Sequence, residues 1–251
     1  MSETQFHTMP DGRRIAFRHV PGTGPALVFL PGYMSDMAGS KAQAVFAWAE
    51  AHGRACLLLD YSGCGTSDGA FAEGTLSRWR DEVLSVIAAQ LGEREVILAG
   101  SSMGGWLMLL VARGLGSQVA GLVGIAAAPD FTEWGLSEAD KQMLAEGQTV
   151  FEDNPYGPKP TPTHPGFFAD AQEHRQLGAA IPIDAPTVLL HGQQDADVPW
   201  DISLRLADAL RSDEVQVVLV KDGDHRLSRP QDIALLLRTI AAFAIEGDTD
   251  R

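Results

Sequence analysis

Glu95-Val96-Ile97-Leu98-Ala99-Gly100-Ser101-Ser102-Met103-Gly104-Gly105-Trp106-Leu107-Met108-Leu109-Leu110-Val111-Ala112 joins two apolar runs through a Gly-x-Ser-x-Gly. The first run has the length of a buried strand and the second that of a helix. At a strand-to-helix junction this pattern reads as a nucleophile elbow. The turn is so tight that side chains two residues before and two after its centre would strike the backbone, and glycine has no Cβ to do so. Ser102 is then held in a strained conformation with its oxygen exposed. The helix starts beside it, so free N–H groups and the helix dipole favour negative charge there. A five-residue pattern also arises by chance, and here the runs on both sides supply the context it needs. Ser101 lacks glycines at plus and minus two and is read as structural.

Outward from the elbow the same alternation repeats. Gln5 to Val20 reads as a hairpin turning at Pro10-Asp11-Gly12. Ala26-Leu27-Val28-Phe29-Leu30 reads as a buried strand ended by Pro31-Gly32, and a helical stretch runs from there to Gly53. Strand Arg54 to Asp60, helical spacing over 75–91, and strand Val119 to Ala126 follow. The rhythm breaks over 129–182, which holds prolines 129, 155, 158, 160, 162, 165 and 182 and one helical piece near Ser137 to Glu146. It resumes with strand Thr187 to Leu190, helix 202–211, strand Val215 to Val220 and a last helix near 230–245. Near-continuous apolar strands alternating with helices predict a mostly parallel central sheet covered on both faces. Residues 1–128 and 183–251 are expected to form this core, with 129–182 inserted above it as a lid.

The 251 residues, 45% hydrophobic and 21% charged, suit a globular domain with a sizeable core. A net charge of −14 without any basic cluster argues against a nucleic-acid partner. No apolar run reaches the roughly 18 residues of a membrane helix. The two cysteines, Cys56 and Cys64, make no disulfide framework and suit a reducing compartment. The polar N-terminus has no apolar h-region, so a cytosolic location is expected.

A serine hydroxyl is a weak nucleophile that needs a base, and the base needs an orienting acid. In an open parallel sheet these groups lie on loops at the carboxyl ends of strands. That rule selects His225, directly after the last strand. His191, at the end of the preceding strand, is the rival and is read as a hydrogen-bonded residue shaping the acid loop. His164 and His174 fall in the insertion and are read as solvated. Asp195, in the loop after Thr187 to Leu190, is the candidate acid, with Asp197 and Asp130 as competitors. The chain order Ser102, Asp195, His225 is the one expected for this architecture. A tetrahedral intermediate needs two N–H donors. Met103 follows the nucleophile, and Tyr33 follows the flexible Gly32 in the loop after the first core strand. Met34 beside it, with Phe131, Trp134, Tyr156 and Trp200, is a candidate for the substrate wall. The insertion's aromatic residues, Phe151, Phe167 and Phe168 among them, either line an apolar acyl pocket or hold the insertion onto the sheet.

Three phrases carry a resemblance: Pro31-Gly32-Tyr33-Met34-Ser35-Asp36-Met37, Asp60-Tyr61-Ser62-Gly63-Cys64-Gly65-Thr66-Ser67-Asp68-Gly69, and Gly100-Ser101-Ser102-Met103-Gly104-Gly105-Trp106-Leu107-Met108. The chain resembles the α/β-hydrolases over nearly its whole length. Within them it is most similar to the acyl-protein thioesterase and acyl-glucuronide esterase group of mitochondria and its bacterial relatives. The Pro-rich stretch 155–165 departs from that group. The resemblance implies Ser102, Asp195 and His225 as a triad, and hydrolysis of carboxylic esters or thioesters with no metal and no cofactor. The expected partner is a small acyl ester or thioester, or an acylated protein. Two alternatives remain: cleavage of a peptide, lactone or carbon–carbon bond on the same scaffold, and a non-catalytic binding protein.

Overall fold

The computed structural model describes residues 3–155 and 157–246. The chain runs β1 (Gln5–Thr8), β2 (Arg14–Val20), β3 (Thr23–Leu30), α1 (Ser40–Ala51), β4 (Arg54–Leu59), α2 (Leu76–Leu91), β5 (Val96–Ser101), α3 (Met103–Leu115) and β6 (Val119–Ile125). It continues α4 (Phe131–Trp134), α5 (Glu138–Ala145), β7 (Val150–Glu152), β8 (Thr161–Thr163) and α6 (Pro165–Glu173). It closes with β9 (Thr187–Gly192), α7 (Asp201–Ala209), β10 (Val215–Val220) and α8 (Pro230–Glu246). Eight of these strands form one sheet in the order β1-β2-β4-β3-β5-β6-β9-β10. The β1–β2 and β2–β4 pairs are antiparallel, and the pairs from β4 to β10 are parallel. The mostly parallel sheet expected from the alternation is therefore observed.

The pleat explains why the strands read as continuous apolar runs. Leu27 and Phe29 of β3 face a layer that holds Val45 and Phe46 of α1 with Leu236 and Ile240 of α8. Val28 and Leu30 face the opposite layer, with Trp79 and Val83 of α2 and Trp106 and Leu110 of α3. Both faces are buried, so no polar position is tolerated between the apolar ones. Each fully buried Val, Leu or Phe contributes roughly 1.5–3 kcal/mol. Cys56 and Cys64 are buried free thiols, and burial pushes the Cys64 thiol up to about 12, so neither is a ready nucleophile.

β3 and β5 are neighbours, and the chain leaves β3 towards β4 on one side and enters β5 on the other. Their carboxyl ends therefore flank the switch point where such sheets bind ligands. The insertion between β6 and β9 is more regular than its prolines suggest. β7 and β8 make a separate antiparallel pair. Pro165 opens α6 at its first turn, where a missing N–H costs nothing, and Phe167 and Ala171 on one helix face are buried. The helical piece expected near Ser137 to Glu146 is α5, and α6 is the helix the reading did not include, because a proline at a first helical turn starts a helix instead of breaking one.

Candidate active site

Backbone sterics build the floor of the site. A Cβ on Gly100 would lie 2.3 Å from the Gly104 carbonyl oxygen, and one on Gly104 would lie 2.2 Å from the Leu30 carbonyl oxygen. The close crossing of β5, α3 and the end of β3 thus requires glycine at both places. Ser102, between them, has φ 55° and ψ −123°. Its N–H donates to the Ile125 carbonyl at 2.9 Å, and its own carbonyl accepts from Gly105 and Ala128. Ser102 occupies the N-cap of α3, yet its side chain makes no capping bond. The hydroxyl lies instead 3.1 Å from Nε2 of His225.

On the other side of that ring, His225 Nδ1 donates to Asp195 Oδ2 at 2.9 Å. The Asp195 side chain is fully buried. Its Oδ1 accepts the N–H groups of Asp197 and Val198 at 2.9 and 2.8 Å. His191, fully buried, lies 3.1 Å from the same Oδ2 and 3.0 Å from the Val198 carbonyl oxygen through Nε2. Both neighbours of Nε2 are acceptors, so Nε2 carries a hydrogen, and Nδ1 is paired with the Ser203 hydroxyl at 2.7 Å. Burial alone would raise the Asp195 pKa. The hydrogen bonds from His191, His225 and Val198, together with the charge on His225, outweigh burial and hold the carboxyl well below the usual range.

The competitors sit elsewhere. Asp197 Oδ2 is 4.0 Å from His225 Nε2, the nitrogen facing Ser102, and not beside Nδ1. Asp130 is buried and accepts the N–H groups of Gln176 and Leu177 at 2.7 and 2.8 Å. His174 is not solvated as expected: its Nε2 lies 2.6 Å from the Ser77 hydroxyl, which ties α6 to α2. Asp170 faces that same nitrogen at 3.8 Å, so this second Ser, His and Asp group is not arranged as a relay.

Above Ser102 lies a cavity of about 720 Å³. Met34, Phe131 and Trp134 line it, as do Tyr33 and Met103. Among the described residues no carbonyl accepts from the N–H of Tyr33 or Met103. Tyr156 lies outside the described residues. Trp200 is a correction: it precedes α7, is 37% exposed and is absent from the cavity wall. An aromatic following the acid loop is close to the site in sequence, but the start of α7 turns it outward. The aromatic residues of the insertion divide between both expected roles. Phe131 faces the cavity and also stacks on Phe167, which is buried among Tyr33, Trp79 and Phe131. Lys41, at the start of α1, also lines the cavity and was missed. Burial, with the charge of Arg226, pushes its amine down to about 8, and it donates to the Arg226 carbonyl beside His225. Its signal was topological, since the first turn after the β3 loop must lie at the same end of the sheet.

All five described non-glycine residues with positive φ gather here or at the edge of the insertion: Met34, Ser102, Ala126, Asp130 and Leu227. Such backbone persists only where its surroundings over-determine it, and it concentrates at functional sites.

This fold with a serine, histidine and aspartate aligned at the switch point defines a serine hydrolase of the α/β class. Residues 27–235 match the model of the alpha/beta hydrolase family, and the chain belongs to that family. It is a hydrolase of carboxylic esters or acyl thioesters. The human mitochondrial palmitoyl-protein thioesterase ABHD10 is 38% identical over 244 residues, which cover 94% of this chain and 78% of that protein. The crystal structure of a putative hydrolase from Agrobacterium vitis S4 is 38% identical with a TM-score of 0.91, covering 97% and 99% of the two chains. Mouse ABHD10 is 37% identical with a TM-score of 0.89, covering 98% and 99%. The cytosolic expectation is overturned: the curated relatives in human, orangutan and cattle are mitochondrial proteins. A missing apolar h-region speaks only about secretion, because mitochondrial leaders are amphipathic and carry none.

Proposed function

We propose that Ser102 is the nucleophile, His225 the general base and Asp195 the acid that fixes the imidazole. The observation that carries this reading is the unbroken line from Ser102 Oγ to His225 Nε2 at 3.1 Å and from Nδ1 to Asp195 Oδ2 at 2.9 Å. His225 takes the hydroxyl proton as the oxygen attacks the acyl carbon. Asp195 stabilises the imidazolium that forms. The N–H groups of Tyr33 and Met103 hold the oxyanion, and neither is otherwise engaged among the described residues. The alcohol or thiol leaves, and water activated by His225 releases the acid. A thiolate needs little protonation to depart, so the same groups serve esters and thioesters.

Residues 129–182 act as the lid, and Met34, Phe131 and Trp134 form the wall that receives the acyl chain. The cavity lies within the usual range for ligand sites, roughly 300–1,000 Å³. The names of the mitochondrial relatives support a long-chain acyl thioester of a protein as substrate.

A fluorophosphonate probe tests the reading. The wild-type chain is expected to label and Ser102→Ala to remain unlabelled, with turnover of p-nitrophenyl esters and acyl thioesters lost in parallel. Equal labelling of both chains, or no labelling of the wild type, overturns it. A chain-length series then tests the wall: activity confined to acetyl esters defeats the acyl-pocket assignment.

A further inference from the structure

The loop from Pro31 to Met37 carries one of the two proposed oxyanion donors, and its ends and its middle are held from different places. At one end the Pro31 carbonyl accepts from the Tyr61 hydroxyl at 3.1 Å. At the other the Met37 N–H donates to Asp60 Oδ1 at 2.8 Å. Tyr61 and Asp60 both follow β4, so the core holds both ends. The middle is anchored differently. The Tyr33 hydroxyl donates to the Pro162 carbonyl at 3.0 Å, across 129 residues of sequence. Pro162 belongs to β8, in the hairpin paired with β7. The Tyr33 ring meets Phe71, Phe167 and Phe131 edge-on at 4.9, 5.0 and 5.9 Å between centroids, and the last two also belong to the insertion. Met34, the next residue, holds φ at 55°, a conformation that needs support from its surroundings. Tyrosine has only two side-chain torsions, so a restraint on its hydroxyl reaches its own backbone N–H.

We propose that Tyr33 is a positioning residue, whose hydroxyl bond to the Pro162 carbonyl lets the β7–β8 hairpin set where the Tyr33 N–H lies over Ser102. This rests on the oxyanion assignment above. The insertion then does more than enclose the acyl chain: it holds half of the oxyanion hole in register. An acyl group that seats against the hairpin without displacing it keeps the donor in place. One that pushes the hairpin aside releases Tyr33 and loses transition-state stabilisation.

Tyr33→Phe deletes the bond and keeps the ring. The measurements are kcat and KM on a p-nitrophenyl ester, with inhibition by an alkyl trifluoromethyl ketone and by the carboxamide of the same chain. The ketone forms a tetrahedral oxyanion on Ser102 and the amide does not. The expected result is a kcat lower by about ten- to a hundredfold with KM within about twofold, since small misplacements of catalytic groups act on this scale. The ketone weakens by the same factor and the amide is unchanged. Phe167→Leu loosens the same ring cluster with the hydroxyl bond intact, and is expected to preserve the ketone-to-amide ratio of the wild type. Unchanged kcat in Tyr33→Phe, equal weakening of both inhibitors, or the same shift in Phe167→Leu overturns the proposal. A wild type that binds the ketone no better than the amide overturns the oxyanion assignment itself, and this inference with it.

Discussion

The floor and the roof of the cavity are held by different kinds of force. At the floor, β5 and α3 cross the end of β3 so closely that backbone meets backbone, with no side chain between them to yield. At the roof, the insertion is held by side chains: rings meeting edge-on, the Tyr33 hydroxyl on Pro162, His174 on Ser77, and Asp130 on Gln176 and Leu177. Packed backbone does not adjust by tenths of an ångström, whereas side-chain contacts do. The difference teaches where each kind of change must fall. Substitutions in the floor are expected to switch the chemistry or the fold off, and substitutions in the roof to grade activity, either through the choice of substrate or through the position of Tyr33.

The sharpest test of that contrast lies between two histidines on one carboxylate. His225→Ala removes the proposed base and is expected to lower kcat/KM by roughly 10⁴-fold or more, on the scale of triad deletions. His191→Ala leaves Ser102 and His225 in place, and turnover remains measurable on the same ester. The opposite ranking breaks the assignment of the base. Next comes Gly104→Ala, whose Cβ would lie 2.2 Å from the Leu30 carbonyl oxygen. Its expected cost is about 3 kcal/mol of stability, read from urea unfolding. A midpoint equal to the wild type would show that the floor yields after all.

A pH series gives a smaller effect. Asp195 has a folded pKa below its unfolded one. Its stabilisation is therefore complete above the unfolded value near about 4 and is lost as pH falls through the lower folded value. The stability gap between wild type and Asp195→Asn should stay level from neutral pH down to about 4, then narrow. A gap that narrows already between about pH 7 and 5 contradicts the depressed carboxyl. The smallest effect belongs to the roof. Trp134→Ala is expected to raise KM for a long acyl ester about five- to tenfold, the loss of one or two buried methylene contacts. KM for the acetyl ester should hardly move. A fall in kcat common to both esters would remove Trp134 from the acyl wall.

Much of this arrangement was legible in the residues. Ala26 to Leu30 and Thr187 to Leu190 are uninterrupted apolar runs because both of their faces are covered, and that condition implies the parallel sheet. Once the sheet is parallel, its carboxyl edge is known, and Ser102, Asp195 and His225 fall on that edge by chain position alone. The structure brings these three within hydrogen-bond distance. Less visible were features set by contacts between distant segments. The β7–β8 pair is three residues long in each strand, too short for any alternation to show. In α6 the pattern was present, Phe167 and Ala171 four apart behind a first-turn proline, but the density of prolines nearby hid it. His174 looked solvated because nothing local indicates that Ser77 reaches it from α2. Trp200 was expected on the cavity wall and lies outside it, whereas Lys41, which the sequence reading passed over, lines it. Direction depends on where a helix begins its first turn, and sequence proximity to a catalytic loop does not fix it.

One carboxylate gathers both ends of the roof. Asp130 precedes α4, and the two amides it accepts, from Gln176 and Leu177, follow α6. The intervening stretch is thus a loop closed at its neck, where Thr132 with Gln172 and Glu133 with Arg175 add to the Asp130 bonds. Closure entropy grows only logarithmically with loop length, so doubling that stretch costs about 0.6 kcal/mol while the neck stays shut. Residues added at the exposed turn over 145–148 would leave that neck shut, whereas replacing Phe167, Ala171 or Pro162 would disturb the core and Tyr33, so an altered selectivity is best grafted at that turn as an insertion.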